Sequence, residues 1–287
     1  ARRFREGAIR VSFTLRASST PTWPDCPRRG AARTFGALIS EMGFELSTTI
    51  SPVGASIGTA THAAVAHCME EKGLTGKYPN ETETEQCGLE ALTNEIKKGV
   101  RWDGLSPNLN TAQKQVIRQY RSYRIHLADK INPSAIERRI TVTTKRGNTL
   151  TGAIDLADDG IHDLKTGIAQ RVNIAQYGTY SMLRRSEGYS VEHLTEDYIR
   201  RVAIDKEQPL PVQVMYNREY AERVAASIIG DIEERYDRFV ETQDPLTFMA
   251  NPASQLCSDR YCSAFRTKWC PESFGKAATA GALDNVR

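Results

Sequence analysis

The residues best suited to chemistry lie in one short stretch, Gly152-Ala-Ile-Asp155 followed by Ile161-His-Asp163-Leu-Lys165-Thr-Gly167. If Ile161 to Lys165 is extended, the strand period of two turns Asp163 and Lys165 to the same face. Asp155 closes the preceding strand, one short turn away (Asp158-Asp159-Gly160), and can approach the same place. Two carboxylates with a backbone carbonyl make an oxygen-rich site suited to Mg²⁺, an ion that favours phosphate substrates. A lysine beside such an ion can orient or deprotonate a water and stabilise charge developing on the phosphate. Together these residues suggest metal-assisted phosphodiester hydrolysis. Asp-x-Lys by itself is also the ordinary look of a solvated sheet face.

These residues need a hairpin to hold them, and the surrounding pattern provides one. Ala135 to Thr144 alternates as a strand, with Ile136, Ile140 and Val142 on one side, and Lys145-Arg-Gly-Asn148 is a turn signal. Thr149 to Leu156 and Ile161 to Lys165 follow as strands. Further strands are expected at about 198–204 and 212–215. Upstream the period is helical, with helices expected at about 29–41, 58–72, 87–99 and 110–131. In the helix over 58–72, Ile57, Ala60, Ala64 and Val65 share a face. The polar, acidic run 74–86 reads as an exposed loop. Downstream, a helix is expected over about 172–185. Asn217 caps a long one to about Thr242, with Tyr220, Val224, Ile228 and Ile232 at helical spacing. The fold class is α/β.

With 40% hydrophobic residues the 287-residue chain can build a real core, and no apolar run reaches the eighteen residues of a membrane span. No repeat or low-complexity tract is visible. Ala1-Arg-Arg-Phe-Arg is followed by no apolar stretch and does not read as a secretory signal; lacking an initiator Met, the chain reads as a fragment or a processed form. A net charge of +3 permits nucleic-acid binding without arguing for it, because phosphate contact needs a local basic patch. Clusters exist at Arg28-Arg29 with Arg33, at Arg118 to Arg124, at Arg138-Arg139 with Lys145-Arg146, and at Arg184-Arg185. Each alone reads as solvated surface.

The order of short motifs carries a resemblance. Gly152-x-x-Asp155, Asp163-x-Lys165-Thr-Gly and Gln176-x-x-x-Tyr180, preceded by Gly58-x-x-x-His62, resemble the successive motifs of the RecB-like branch of PD-(D/E)XK nucleases over roughly residues 57–185. The resemblance implies a restriction-endonuclease-like core, a mixed central sheet flanked by helices. It implies that His62, Asp155 and Asp163 bind Mg²⁺ or Mn²⁺ with help from the Leu164 carbonyl. Lys165 becomes the catalytic lysine, with Gln176 and Tyr180 positioning substrate or the active site. Without the resemblance His62 is a lone helical histidine, a reading that His67 and His162 keep, and Tyr180 fits a core equally well. Glu137 stays open as a DNA-side or structural residue.

Six cysteines stand at 26, 68, 87, 257, 262 and 270, and no export signal supports a disulfide framework. Three late thiolates can hold a soft metal, and a fourth from the other end would close a tetrahedral or cubane site. Cys26-Pro-Arg-Arg with Cys257, Cys262 and Cys270-Pro resembles the 4Fe–4S subset of the same branch, which includes AddB-type subunits and CRISPR-associated nucleases. The late gaps are each two residues longer than that subset's, so zinc or free thiols stay open as alternatives. Cys68 reads as a small buried apolar residue and Cys87 as a loop or helix-start thiol.

The resulting expectation is a single nuclease domain over 1–270, with its catalytic core at 57–216, residues 26 and 257–270 as an iron–sulfur staple, and a flexible tail from 271. The expected function is that of a DNA exonuclease in recombination, repair or phage DNA processing. No Gly-x-x-x-x-Gly-Lys-Ser/Thr motor motif is present, so a separate helicase, annealing protein or integrase is the expected partner, with no membrane. An iron–sulfur DNA-binding subunit without activity of its own is the alternative; a restriction endonuclease would need a recognition element that is not visible. Cluster thiols imply an intracellular, cytoplasmic or nucleoid-associated setting.

Overall fold

The computed structural model describes residues 11–275. Its helices are α1 (Thr22–Asp25), α2 (Pro27–Thr34), α3 (Gly36–Glu41), α4 (Val53–Thr75), α5 (Glu81–Lys97), α6 (Leu109–His126), α7 (Ile174–Ser186) and α8 (Arg218–Thr242). Its strands are β1 (Thr14–Arg16), β2 (Ala135–Thr143), β3 (Thr149–Ala157), β4 (Ile161–Gly167), β5 (Leu194–Arg200) and β6 (Val212–Tyr216). The chain folds into two compact units. One takes the residues up to Thr49, Thr141–Gly152 and those from Arg223 on; the other takes Ile50–Ile140 and Ala153–Glu222. The expected tail begins with a 3₁₀ turn, Pro271–Gly275, in which Ser273 is buried. Its remainder lies outside the described residues.

In the first unit, β1 pairs in parallel with the start of β3, Thr14 opposite Thr149. The helix expected over 29–41 is broken at Phe35, whose φ of −112° and ψ of 22° leave the helical region. Its ring sits 4.9 Å from those of Phe13 and Tyr236 and 5.8 Å from Phe248. Burying a large ring contributes about 2–3 kcal/mol, more than one uninterrupted helical turn. Arg28, 1% exposed, belongs to the interior and not to a basic surface. Its Nε donates to the Phe248 carbonyl at 2.8 Å, its guanidinium reaches the Trp269 carbonyl, and it pairs with Glu272 at 3.2 Å. One buried arginine thus joins segments more than 200 residues apart in sequence.

In the second unit, α4 packs on α5 and α6 through two apolar clusters, one of which also takes Leu156, Leu164 and Ile199 from the sheet. α4 starts at Val53, five residues before the expected start, and ends at Gly76, whose φ of 71° suits glycine. Only 76–80 of the expected loop over 74–86 lie outside helices, since 74–75 end α4 and 81–86 begin α5. Asn80 caps α5 by accepting the Thr82 and Glu83 N–H groups, and the acidic run becomes a first turn that the helix dipole favours. Cys87 is accordingly mid-helix, while Cys68 is fully buried as expected.

The sheet of this unit is mixed. β3 and β4 are antiparallel, β4 and β5 parallel, β5 and β6 antiparallel, and β2 pairs with β3. β5 starts four residues earlier than expected because its carboxylates Glu196 and Asp197 are buried, which hides a strand from a polarity pattern. α7 is buried on most sides. A Cβ on Gly178 would lie 2.0 Å from the Ala221 carbonyl oxygen, so α7 and the start of α8 touch backbone to backbone. The buried line on α8 is shifted from the expected one. Ala221, Ala225 and Ile229 lie inward before Ile232, whereas Tyr220 is exposed and Val224 and Ile228 are half-buried.

Gly178→Ala is expected to destabilise the protein by about 3 kcal/mol or more, because a backbone atom cannot move aside. Gly230→Ala, with nothing within 4 Å of the added methyl, should stabilise α8 by about 1 kcal/mol. Urea unfolding followed by circular dichroism checks both.

Candidate active site

The β3–β4 turn is closed by Asp158, whose Oδ1 accepts the Gly160 N–H at 2.9 Å. One turn of strand back, the Asp155 Oδ2 accepts the Leu164 N–H at 2.8 Å, and its Oδ1 faces His62 Nδ1 at 3.4 Å. His62 reaches it from α4. One helical turn earlier, a Cβ at Gly58 would stand 2.9 Å from Thr166 Oγ1, so the glycine lets α4 lie against β4 and brings His62 within range. A third group, unassigned by the sequence reading, joins them. Glu137 Oε1 lies 3.9 Å from His62 Nδ1, and one donor atom each from His62, Glu137 and Asp155 fall within 4.8 Å of one another. Glu137 has a φ of 45°, a left-handed conformation costing about 1–3 kcal/mol, which structures keep mainly where a side chain must be aimed.

Asp163 and Lys165 turn away from the core that holds Leu164, toward α7. Asp163, 1% exposed, is ion-paired to Lys165 through Oδ2 and accepts Gln176 Nε2 at 3.3 Å through Oδ1. The same amide nitrogen donates to Tyr180 Oη at 2.8 Å. Tyr177, one residue on from Gln176, donates to buried Glu196, which also accepts Gln170 Nε2 at 2.7 Å. Tyr177 and Glu196 were not singled out by sequence, since a carboxylate at strand position 196 looks solvent-facing. Asp163, Lys165, Gln176 and Tyr180 therefore form one connected set. His62, Asp155 and Glu137 form a second, with the Leu164 backbone N–H bound to Asp155.

The electrostatics of both sets follow from burial and neighbours. Burial disfavours a charged His62, but Asp155 and Glu137 outweigh it and push its pKa up to about 10. Burial would raise Asp155, yet the His62 imidazolium and Lys165 hold its carboxyl below the usual range. Asp163 goes the other way: burial raises it more than the Lys165 ammonium lowers it. Burial also works against a charged Lys165, but Asp163 and Asp155 together keep it above the ordinary lysine value. An oxygen, oxygen, nitrogen set already carrying a proton on its imidazole fits a small dication, which would take that proton's place; the nitrogen tilts the preference toward Mn²⁺.

In the other unit, Cys26, Cys257, Cys262 and Cys270 all line one pocket, with Arg28, Arg29 and Ser254 among its walls. The Asn251 N–H points at Cys26 Sγ at 3.4 Å. Burial pushes the Cys262 thiol up to about 11 and raises that of Cys270. Arg29 is held by Asp25 at 2.7 Å, so this pair of arginines forms part of the pocket frame. In the second unit Arg184 is likewise buried, over the Tyr189 ring at 3.5 Å.

Among solved structures, the chain is similar to the crystal structure of a "putative exonuclease" from Eubacterium rectale. The match has a TM-score of 0.56 at 11% identity and covers 85% of this chain and 86% of that one. The likeness is one of fold. No protein-family model matches the sequence, and no curated protein matches it.

Because His62 holds its proton up to about pH 10, a dication binding there at neutral pH must displace it. Mn²⁺ affinity measured by calorimetry should therefore tighten by up to about tenfold per pH unit between pH 6 and 9. Proton release into buffers of different ionisation enthalpy should accompany it. Glu137→Gln and His62→Ala should each weaken binding by about tenfold or more; unchanged affinity in Glu137→Gln would remove Glu137 from the donor set.

Proposed function

We propose that this chain is a divalent-metal-dependent deoxyribonuclease of the RecB-like PD-(D/E)XK type, acting on DNA ends. The observation that carries the reading is the arrangement around Asp155. A carboxylate braced by the Leu164 N–H faces His62, and the Asp163–Lys165 pair follows on the next strand. The fold shared with a protein bearing an exonuclease description supports it.

In this reading His62, Glu137 and Asp155 hold Mg²⁺ or Mn²⁺, with Asp163 and the Leu164 carbonyl the further oxygens the motif implies. The bound ion supplies neutralisation of phosphate charge. Lys165 stays an ammonium at neutral pH, since its neighbours raise its pKa. It therefore acts as a charged donor that orients water and meets charge developing on the phosphate, and not as a free base. Gln176 holds the Asp163 carboxylate and is itself fixed by Tyr180, so the α7 pair sets the direction of the Asp163–Lys165 pair. The exposed loop after β4, with Arg171 on it, is the nearest basic segment in sequence to contact a DNA backbone. A separate helicase, annealing protein or integrase as partner belongs to the same proposal.

In this reading the four cysteines that line one pocket hold a 4Fe–4S cluster, with zinc the alternative. When bound, the cluster would add a covalent tie where Arg28 and Arg29 already hold distant segments together.

Anaerobically purified protein with Mg²⁺ or Mn²⁺ should degrade end-labelled linear DNA and leave closed circular DNA intact. Lys165→Ala should slow this by about 10²-fold or more. Cutting of both forms would keep the site and make the enzyme an endonuclease; no cutting by folded, metal-loaded protein would sink the reading in favour of a binding subunit. Iron and inorganic sulfide should be present in equal amounts and be lost in Cys262→Ser. Zinc without sulfide in the wild type would reject the cluster.

A further inference from the structure

A second group of metal-ligating side chains lies at the closed end of the β3–β4 hairpin and takes no part in the chemistry above. His162 precedes Asp163, so strand alternation turns it to the face opposite Asp163 and Lys165. It is 6% exposed. Its Nε2 is 3.3 Å from Asp158 Oδ1 and its Nδ1 is 3.5 Å from Asp197 Oδ2, but neither nitrogen meets a partner in hydrogen-bond geometry. Each ring nitrogen of this buried histidine therefore faces a carboxylate at ion-pair distance, an arrangement that a proton or a metal cation can bridge.

The surroundings supply the rest of a site. His193, in the loop before β5, packs edge-on against His162, ring centroids 5.3 Å apart and planes at 80°. One donor atom each from Asp158, His162 and His193 lie within 4.8 Å of one another. Behind His162 stands Asp197, buried on β5, whose Oδ1 accepts Gln213 Nε2 at 2.8 Å and is thereby fixed. The turn is shaped to admit the second imidazole: a Cβ at Gly160 would lie 2.4 Å from His193 Nε2. Backbone bonds hold the two segments in register, Ile161 N–H to the His193 carbonyl at 3.0 Å and Glu192 N–H to the Asp159 carbonyl at 2.8 Å.

We propose that Asp158, His162 and His193 bind a zinc-class dication, with Asp197 orienting the His162 ring from behind. Two imidazoles and one carboxylate suit Zn²⁺ and its borderline neighbours and not Mg²⁺ or Ca²⁺, which ask for oxygen. A carboxylate on the far nitrogen of a ligating histidine is the usual arrangement that fixes its tautomer and ring plane. Three protein donors leave a fourth position to water. The ion would pin the β3–β4 turn to the loop before β5, one residue from Asp163, and so stiffen the strand that carries Asp163 and Lys165. This site stands whether or not the chain cleaves DNA.

The test is a Zn²⁺ titration of the full chain with ¹⁵N-labelled histidine rings, which reads each of the five histidines separately and so separates this site from His62 and from the cysteine pocket. The His162 and His193 ring nitrogens should shift together and saturate with one ion. His193→Gln should weaken that step by at least tenfold, and Asp197→Asn, which keeps all three donors, by about tenfold, with the circular dichroism of both variants unchanged. His162 and His193 rings that stay put in excess Zn²⁺, or an affinity unaltered in His193→Gln, would overturn the proposal and leave a metal-free histidine–carboxylate cluster.

Discussion

The Asp155 carboxylate is a buried charge that two secondary-structure elements share. One oxygen takes the Leu164 N–H from β4, and the other faces the His62 imidazole from α4. Leaving water costs a carboxylate several kcal/mol, and in this protein the return comes from those two neighbours and from Lys165. The arrangement therefore works in both directions. Asp155 needs α4 seated against β4, which Gly58 permits, and once seated it fixes where His62 and Glu137 converge. The left-handed backbone at Glu137 is the local cost of bringing the third group in.

Asp163 responds to the same burial in the opposite way. Among the described residues no backbone N–H reaches it as that of Leu164 reaches Asp155, and its partners are the ends of two side chains, Lys165 and Gln176. One carboxyl of the pair is thus held ionised and the other is biased toward its protonated form, a separation that places the firmly charged group beside the histidine. Gln176 and Tyr180 complete the arrangement from a helix whose own seat depends on the backbone contact at Gly178.

Much of this was legible in the sequence where periodicity and turn chemistry coincide. The hairpin from Ala135 to Lys165 alternates with a clear turn signal, and the observed strands agree with it closely. The facing of Asp163 and Lys165 follows from their spacing alone. The motif order brought His62, Gln176 and Tyr180 to notice, and the four cysteines it grouped do line one pocket. What escaped notice did so for physical reasons. Glu137 leaves the strand period through an unusual backbone angle, so its direction cannot be counted from its neighbours. Glu196 and Asp197 are buried carboxylates whose partners, Tyr177 and Gln213, are distant in sequence. Arg28 and Arg184 looked like surface charge because burial of a guanidinium depends on carbonyls and rings supplied by other segments. The α5 start was readable, since Asn80 before a run of glutamates is a capping signal, but polarity masked it.

The most direct measurement of the central claim is anomalous diffraction from crystals soaked in Mn²⁺ with a short DNA oligonucleotide. Metal binding by this trio requires a manganese peak between His62, Glu137 and Asp155, with a DNA phosphate drawn toward it and toward Lys165. A peak elsewhere, or none at this position with DNA bound at another surface, would contradict it.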